Sequence, residues 1–153
     1  MDGAEVQGAY RSFADTLRAG GFSQPDTGWD ASLIAAHVAA NNDAIASVAE
    51  EIAAGRHPSY DNAELIDDER LRQIASAAGG LDGLAGQIET SAARLAVAWE
   101  LLGPELGQTE VPAKIADGGQ VVRDGPIRIR AFIEGNATFH LQLHLDQLRA
   151  LLP

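Results

Sequence analysis

A chain of 153 residues, 46% hydrophobic and 22% charged, is long enough to bury one core and short for two, so a single domain over residues 1–153 is expected and extended disorder is excluded. The net charge of −11 would repel a phosphate backbone, which excludes nucleic-acid binding over a broad surface. The absence of cysteine excludes disulfides, thiolate metal ligation and an internal thiol nucleophile, so any thiol chemistry must use a thiol from outside.

Ala and Leu supply most of the apolar residues and aromatics only 5%, a mixture that favours helix over strand. No apolar run approaches the ~18 residues of a membrane span. The start MDGAEVQGAYRSF lacks the basic and apolar stretches of a secretory signal. The expected location is therefore the cytoplasm, with no membrane partner.

From about Ala4 to Ala19, the residues Val6, Tyr10, Phe13, Ala14 and Leu17 recur at intervals of three and four, which predicts an amphipathic helix ended by Gly20 and Gly21. A second helix is predicted from Asp30, a suitable N-cap, to about Ala54. Arg56 to Asp67 reads as a connecting loop. A third helical pattern runs from Asp68 to Leu102, with Gly79-Gly80 as a point of interruption and Gly103-Pro104 as its stop. From there to about Arg130, Val111, Ile115, Val121, Val122, Ile127 and Ile129 sit among Gly118-Gly119 and Gly125-Pro126, which predicts short extended segments forming a small hairpin. The last helix is predicted from about Ala131 almost to Pro153. Four long helical segments in one small domain predict an all-α four-helix bundle with a hairpin insertion before the last helix.

At ~100° per residue, the last helix gathers Ile133, Ala137, Leu141, Leu148 and Leu151 on one side, with His140 and His144 in the same stripe. Two imidazoles four residues apart lie one turn above the other and can converge on one ion. The second helix places His37 and Asn41 with Ile34, Ile45, Val48 and Ile52, while His57 falls in a loop. Three histidines on buried faces of two helices form a candidate metal site with a coordination position left open. Hydrogen-bonded core histidines are the alternative.

Other residues are candidates for substrate contact. Asn41 stands one turn beyond His37, where a helix–helix hydrogen bond is the competing role. Trp29 could line the mouth of the pocket or simply pack there. Lys114, Arg123, Arg128 and Arg130 cluster in the insertion, where they would attract anions or pair with acidic neighbours. Glu134 and Asn136 start the last helix and could approach the metal.

The stretch Trp29-Asp30-Ala31-Ser32-Leu33-Ile34-Ala35-Ala36-His37-Val38 and the tail His140-Leu-Gln-Leu-His144-Leu-Asp-Gln147-Leu-Arg149 resemble the second and last helices of DinB-like proteins. The extended insertion resembles that of the mycothiol-dependent maleylpyruvate isomerase branch. The resemblance implies a four-helix bundle holding a divalent metal, often zinc or nickel, with His37, His140 and His144 at the ligand positions. It further implies transfer of a low-molecular-weight thiol such as mycothiol or bacillithiol to an electrophilic substrate. The isomerase branch carries Glu where this chain has His140 and continues into a C-terminal domain, so isomerisation itself is not the expected reaction. Metal-dependent hydrolysis, and a stress protein that binds a metal or small molecule without turnover, are the alternatives. A homodimer is an admissible assembly that no residue dictates.

Overall fold

The computed structural model describes residues 1–153. Helix α1 (Gly3–Ala19) begins with a capping box: the Asp2 carboxylate accepts the Glu5 N–H and the Glu5 carboxylate accepts the Asp2 N–H. Its apolar stripe of Val6, Tyr10, Phe13, Ala14 and Leu17 is buried. Helix α2 (Ala31–Ala53) is capped by Asp30, whose carboxylate accepts the Leu33 N–H at 2.9 Å. Burial on almost every side of α2 reflects its Ala-rich sequence, which lets neighbours approach closely.

The pattern from Asp68 onward forms two helices, α3 (Asp68–Ala78) and α4 (Leu81–Leu106). Gly79 and Gly80, at φ of 80° and 123°, take backbone conformations that side chains disfavour, and the chain turns there. Gly103 breaks the helical dihedrals of α4, yet the helical run continues past Pro104, which is tolerated at the first position of a new turn. The predicted stop is thus a kink.

Strands β2 (Glu110–Asp117) and β3 (Gln120–Arg128) form the expected hairpin, joined by Gly118 and Gly119 at φ of 57° and 80°, as a tight two-residue turn requires. The segment expected to be a plain loop adds a strand, β1 (Tyr60–Asp61), pairing parallel to the other edge of β2, and a 3-10 turn over Ala63–Ile66. The Asn62 side chain continues that pairing by bonding both the N–H and the carbonyl of Ala116. The chain is mostly helical, as expected, and the expected hairpin forms two strands of a small three-stranded sheet.

The C-terminal run is helical from Ile129, but not uniformly α. Helix α5 (Ile129–Gly135) leads into a π turn over Asn136–His140, where the Leu141 N–H reaches the Asn136 carbonyl five residues back, and then into α6 (Leu141–Ala150). Asn136 and Leu141 both face inward, while Thr138 and Phe139 between them are exposed.

Helix α4 packs along both α1 and α2, α3 lies on α2 and α4, and α6 rests on α2 and α1. One contiguous apolar cluster fills the space, from Phe13 and Leu17 through Ile45, Ile88 and Trp99 to Ile133 and Leu148. Arg94 of α4 clamps α2 from outside, bonding Glu50 through two N–H groups at 2.8 Å and reaching Asp43 and Ser47 as well. No helix is long and apolar enough to cross a membrane.

Candidate metal centre

Helix α2 and the C-terminal run are antiparallel, since His37 faces His140 and His144 while Asn41, one turn on, faces Asn136, one turn back. This places His37, His140 and His144 together: their ligating nitrogens all lie within 4.8 Å of one another. The Nε2 of His140 stands 3.2 Å from that of His37 and 3.1 Å from that of His144. His37 and His144 are buried and His140 half-buried, which leaves the cluster approachable on the His140 side.

The outer nitrogens decide what the inner ones can do. His37 Nδ1 lies 2.6 Å from the Leu65 carbonyl, which can only accept, so its proton sits there. His144 Nδ1 lies 2.8 Å from Gln147 Oε1 and donates likewise. Both rings therefore turn a bare Nε2 lone pair toward His140. A single proton on His140 Nε2 can satisfy only one of them; a cation between the three nitrogens satisfies all. Four nitrogens at ~2.05 Å around a tetrahedral ion are separated by about 3.3 Å, close to the two observed spacings. The donor set and its spacing fit a divalent metal ion, and the Leu65 carbonyl and Gln147 are the outer groups that orient the rings.

Burial holds the rings neutral, as ligation requires. His37 is pushed down to about 4, chiefly by desolvation, with the facing His144 adding to the effect and the Leu65 carbonyl opposing it. His140 is pushed down to about 3 by desolvation and by both neighbouring histidines. Desolvation lowers His144 as well, against the Gln147 hydrogen bond.

Trp29 forms one wall. Its indole centre lies 5.1 Å from the His37 ring and 6.4 Å from the His144 ring, nearly parallel to the latter. Its N–H donates to Asp68 Oδ1 at 2.8 Å, fixing the indole against the start of α3. Asp68 belongs to an acidic stretch of the sequence, with Asp61, Glu64, Asp67 and Glu69 on either side of Leu65.

The other predicted contacts lie elsewhere. Asn41 is buried with both ends engaged: Tyr60 donates to its oxygen, and its nitrogen donates to Asn136 Oδ1 at 2.6 Å. It thus makes the helix–helix bond. Arg130 lies over Trp99, its guanidinium carbon 3.9 Å from the ring centre. Ten residues of helix separate it from His140, about 15 Å of rise. Arg128 ends β3 opposite Glu110, and Lys114 sits between Asp61 and Asp124 in the sheet register. Arg123 donates to the Pro126 carbonyl. Arg128 and Lys114 thus stand opposite acids on the sheet, and none of the four basic residues bonds a histidine of the cluster. Glu134 is exposed, and His57 is exposed in its loop.

The sequence reading missed the Leu65 carbonyl, the Gln147 oxygen and the hydroxyls of Tyr10 and Tyr60. For one of these a signal existed, because Gln147 falls three residues after His144, within reach on a helix. No family model, curated protein or solved structure matches the chain.

Proposed function

We propose that the chain is a DinB-like four-helix-bundle metalloprotein, its bundle formed by α1, α2, α4 and the C-terminal run, which uses a divalent metal at His37, His140 and His144 to transfer a low-molecular-weight thiol to an electrophile. The observation that carries this reading is the convergence of three Nε2 atoms, two of them with their protons committed to the opposite nitrogen. Zinc or nickel suits an all-imidazole set. When bound, such an ion supplies Lewis acidity and lowers the pKa of a thiol brought against it. The three neutral rings add no negative charge, so the full charge of the ion remains available to an incoming thiolate. His140, the half-buried ligand, marks the side from which thiol and substrate enter. Trp29 and the protein core exclude water behind the site.

The acidic stretch around Leu65 and the distance to Arg128 and Arg130 favour a thiol without carboxylates. Mycothiol fits that description better than bacillithiol or glutathione. The reading is tested first by metal content, measured by mass spectrometry on untagged protein. Close to one zinc or nickel per chain is expected, with loss in each of His37→Ala, His140→Ala and His144→Ala. Substoichiometric metal indifferent to these substitutions overturns the site. Conjugation of a model electrophile is then compared among the three thiols and against ester hydrolysis. Turnover is expected to require a thiol and to be fastest with mycothiol. Hydrolysis without thiol dependence would replace the transferase reading with a hydrolase, and silence in both would leave a binding protein.

A further inference from the structure

A chain of buried polar side chains runs beside the three histidines. The Tyr60 hydroxyl donates to Asn41, Asn41 donates to Asn136, and the Asn136 amide nitrogen donates to the Tyr10 hydroxyl at 2.6 Å and to Asn42 Oδ1 at 3.2 Å. Asn42 in turn donates to Ser91 of α4 at 3.3 Å. All six residues are buried, so each bond is made where no water can replace it. Asn136 is the hub, joining the C-terminal run to α1 and α2 at once, and it is the residue at which the π turn opens.

Such a turn is rare, and it needs tertiary contacts to hold it. Here its two departures from α-helix have identifiable partners: Asn136 is anchored inward by the amide network, and the Thr138 hydroxyl bonds the Glu134 carbonyl at 2.7 Å on the outer side. The turn adds a residue just before His140. One residue corresponds to a rotation of roughly 100°, which sets the direction in which His140 and His144 leave the helix. On the opposite wall, Asn41 stands one turn from His37.

We infer that Asn136, held by Asn41, Asn42 and Tyr10, is a positioning residue that fixes the π turn and so sets the spacing of His37 from His140 and His144. This rests on the metal reading above. It assigns to the Asn41–Asn136 pair the size of the ligand triangle, with no contact to the metal or its substrates.

The test uses Co(II) as the probe, because its visible bands report ligand geometry, in the full chain loaded after removal of native metal. Wild-type protein is expected to bind one Co(II) with bands of a low-coordinate nitrogen site, lost in His37→Ala. The double variant Asn41→Leu/Asn136→Leu removes the central pair of the network together, at the cost of leaving the Tyr10 and Tyr60 hydroxyls and Asn42 Oδ1 without those partners. It should melt below the wild type and, while folded, bind Co(II) at least about tenfold more weakly, with shifted bands. The double variant Tyr10→Phe/Tyr60→Phe removes only two hydroxyls, keeps the core's shape and should shift the bands in the same direction. It decides the matter if the leucine variant does not fold. Unchanged affinity and bands in a folded double variant overturn the positioning role alone. Wild-type protein that binds no more Co(II) than His37→Ala overturns the metal reading and this inference together.

Discussion

Desolvation keeps the imidazoles of His37 and His140 uncharged well below neutrality, and this has a measurable consequence for the metal-free protein. In the unfolded chain each ring returns to its ordinary value of 6.5, whereas the folded values are about 4 and about 3. Between pH 6.5 and about 4 the unfolded state binds protons that the folded state refuses, so stability falls as pH falls through that window and is fully present above it. The melting temperature of chelator-treated protein should therefore drop between pH 7.5 and 5. The drop should be smaller in His140→Ala, which loses one of the depressed groups; an equal slope in wild type and variant would contradict the assignment. Trp29 offers a second readout at the same scale. With its ring 5.1 Å from His37, binding of Ni(II) should quench part of the indole emission, and Trp29→Phe should abolish that component while the buried Trp99 still emits.

Among the elements, α4 shows how two glycines in one helix can have opposite roles. A Cβ on Gly83 would lie 2.0 Å from the Ala78 carbonyl oxygen across the α3–α4 turn, whereas one on Gly86 meets nothing within 4 Å. Gly83→Ala should destabilise the protein by about 1–3 kcal/mol. Gly86→Ala should stabilise it by about 0.5–1 kcal/mol, because Ala replaces Gly within a helix without a clash. Denaturant titrations of the two variants give the comparison, and equal effects would show that the α3–α4 turn relaxes freely. The helices and the hairpin were legible because their signals are local: three-four spacing, Asp30 before α2, and Gly118-Gly119 between segments holding valine and isoleucine. The inward direction of His37, His140 and His144 was legible for the same reason. Strand β1 was not, since Tyr60 finds its partner Ala113 from 53 positions away. The start of the last helix was misplaced by two residues because Ile127 and Ile129 alternate as strand residues do, although only the first is one. The π turn carries no local signature at all; it depends on contacts of Asn136 with residues near positions 10 and 41.

For the whole molecule, the location of the three histidines matters as much as their identity. His37 and His140 are 103 residues apart in the chain, yet their rings meet in the fold. The sheet, α3 and α4 all lie in the sequence between them. Ligand binding to the folded state alone adds about 2.7 kcal/mol at a free metal concentration one hundred times the Kd. For a chain of this size that is a rise in melting temperature of roughly 5–10 °C. Zinc titration followed by differential scanning calorimetry should show the rise in wild type and not in His37→Ala, where one ligand is missing.

That long separation would make a bound ion a topological staple. Bound, it closes a loop over two thirds of the chain, fastening an early helix to the last one as a long-range disulfide would in a secreted protein. Without cysteine, these residues can form no disulfide to do the same. The counterpart of reducing such a cross-link would be chelation, which would release α2 from the helical run that carries His140 and His144.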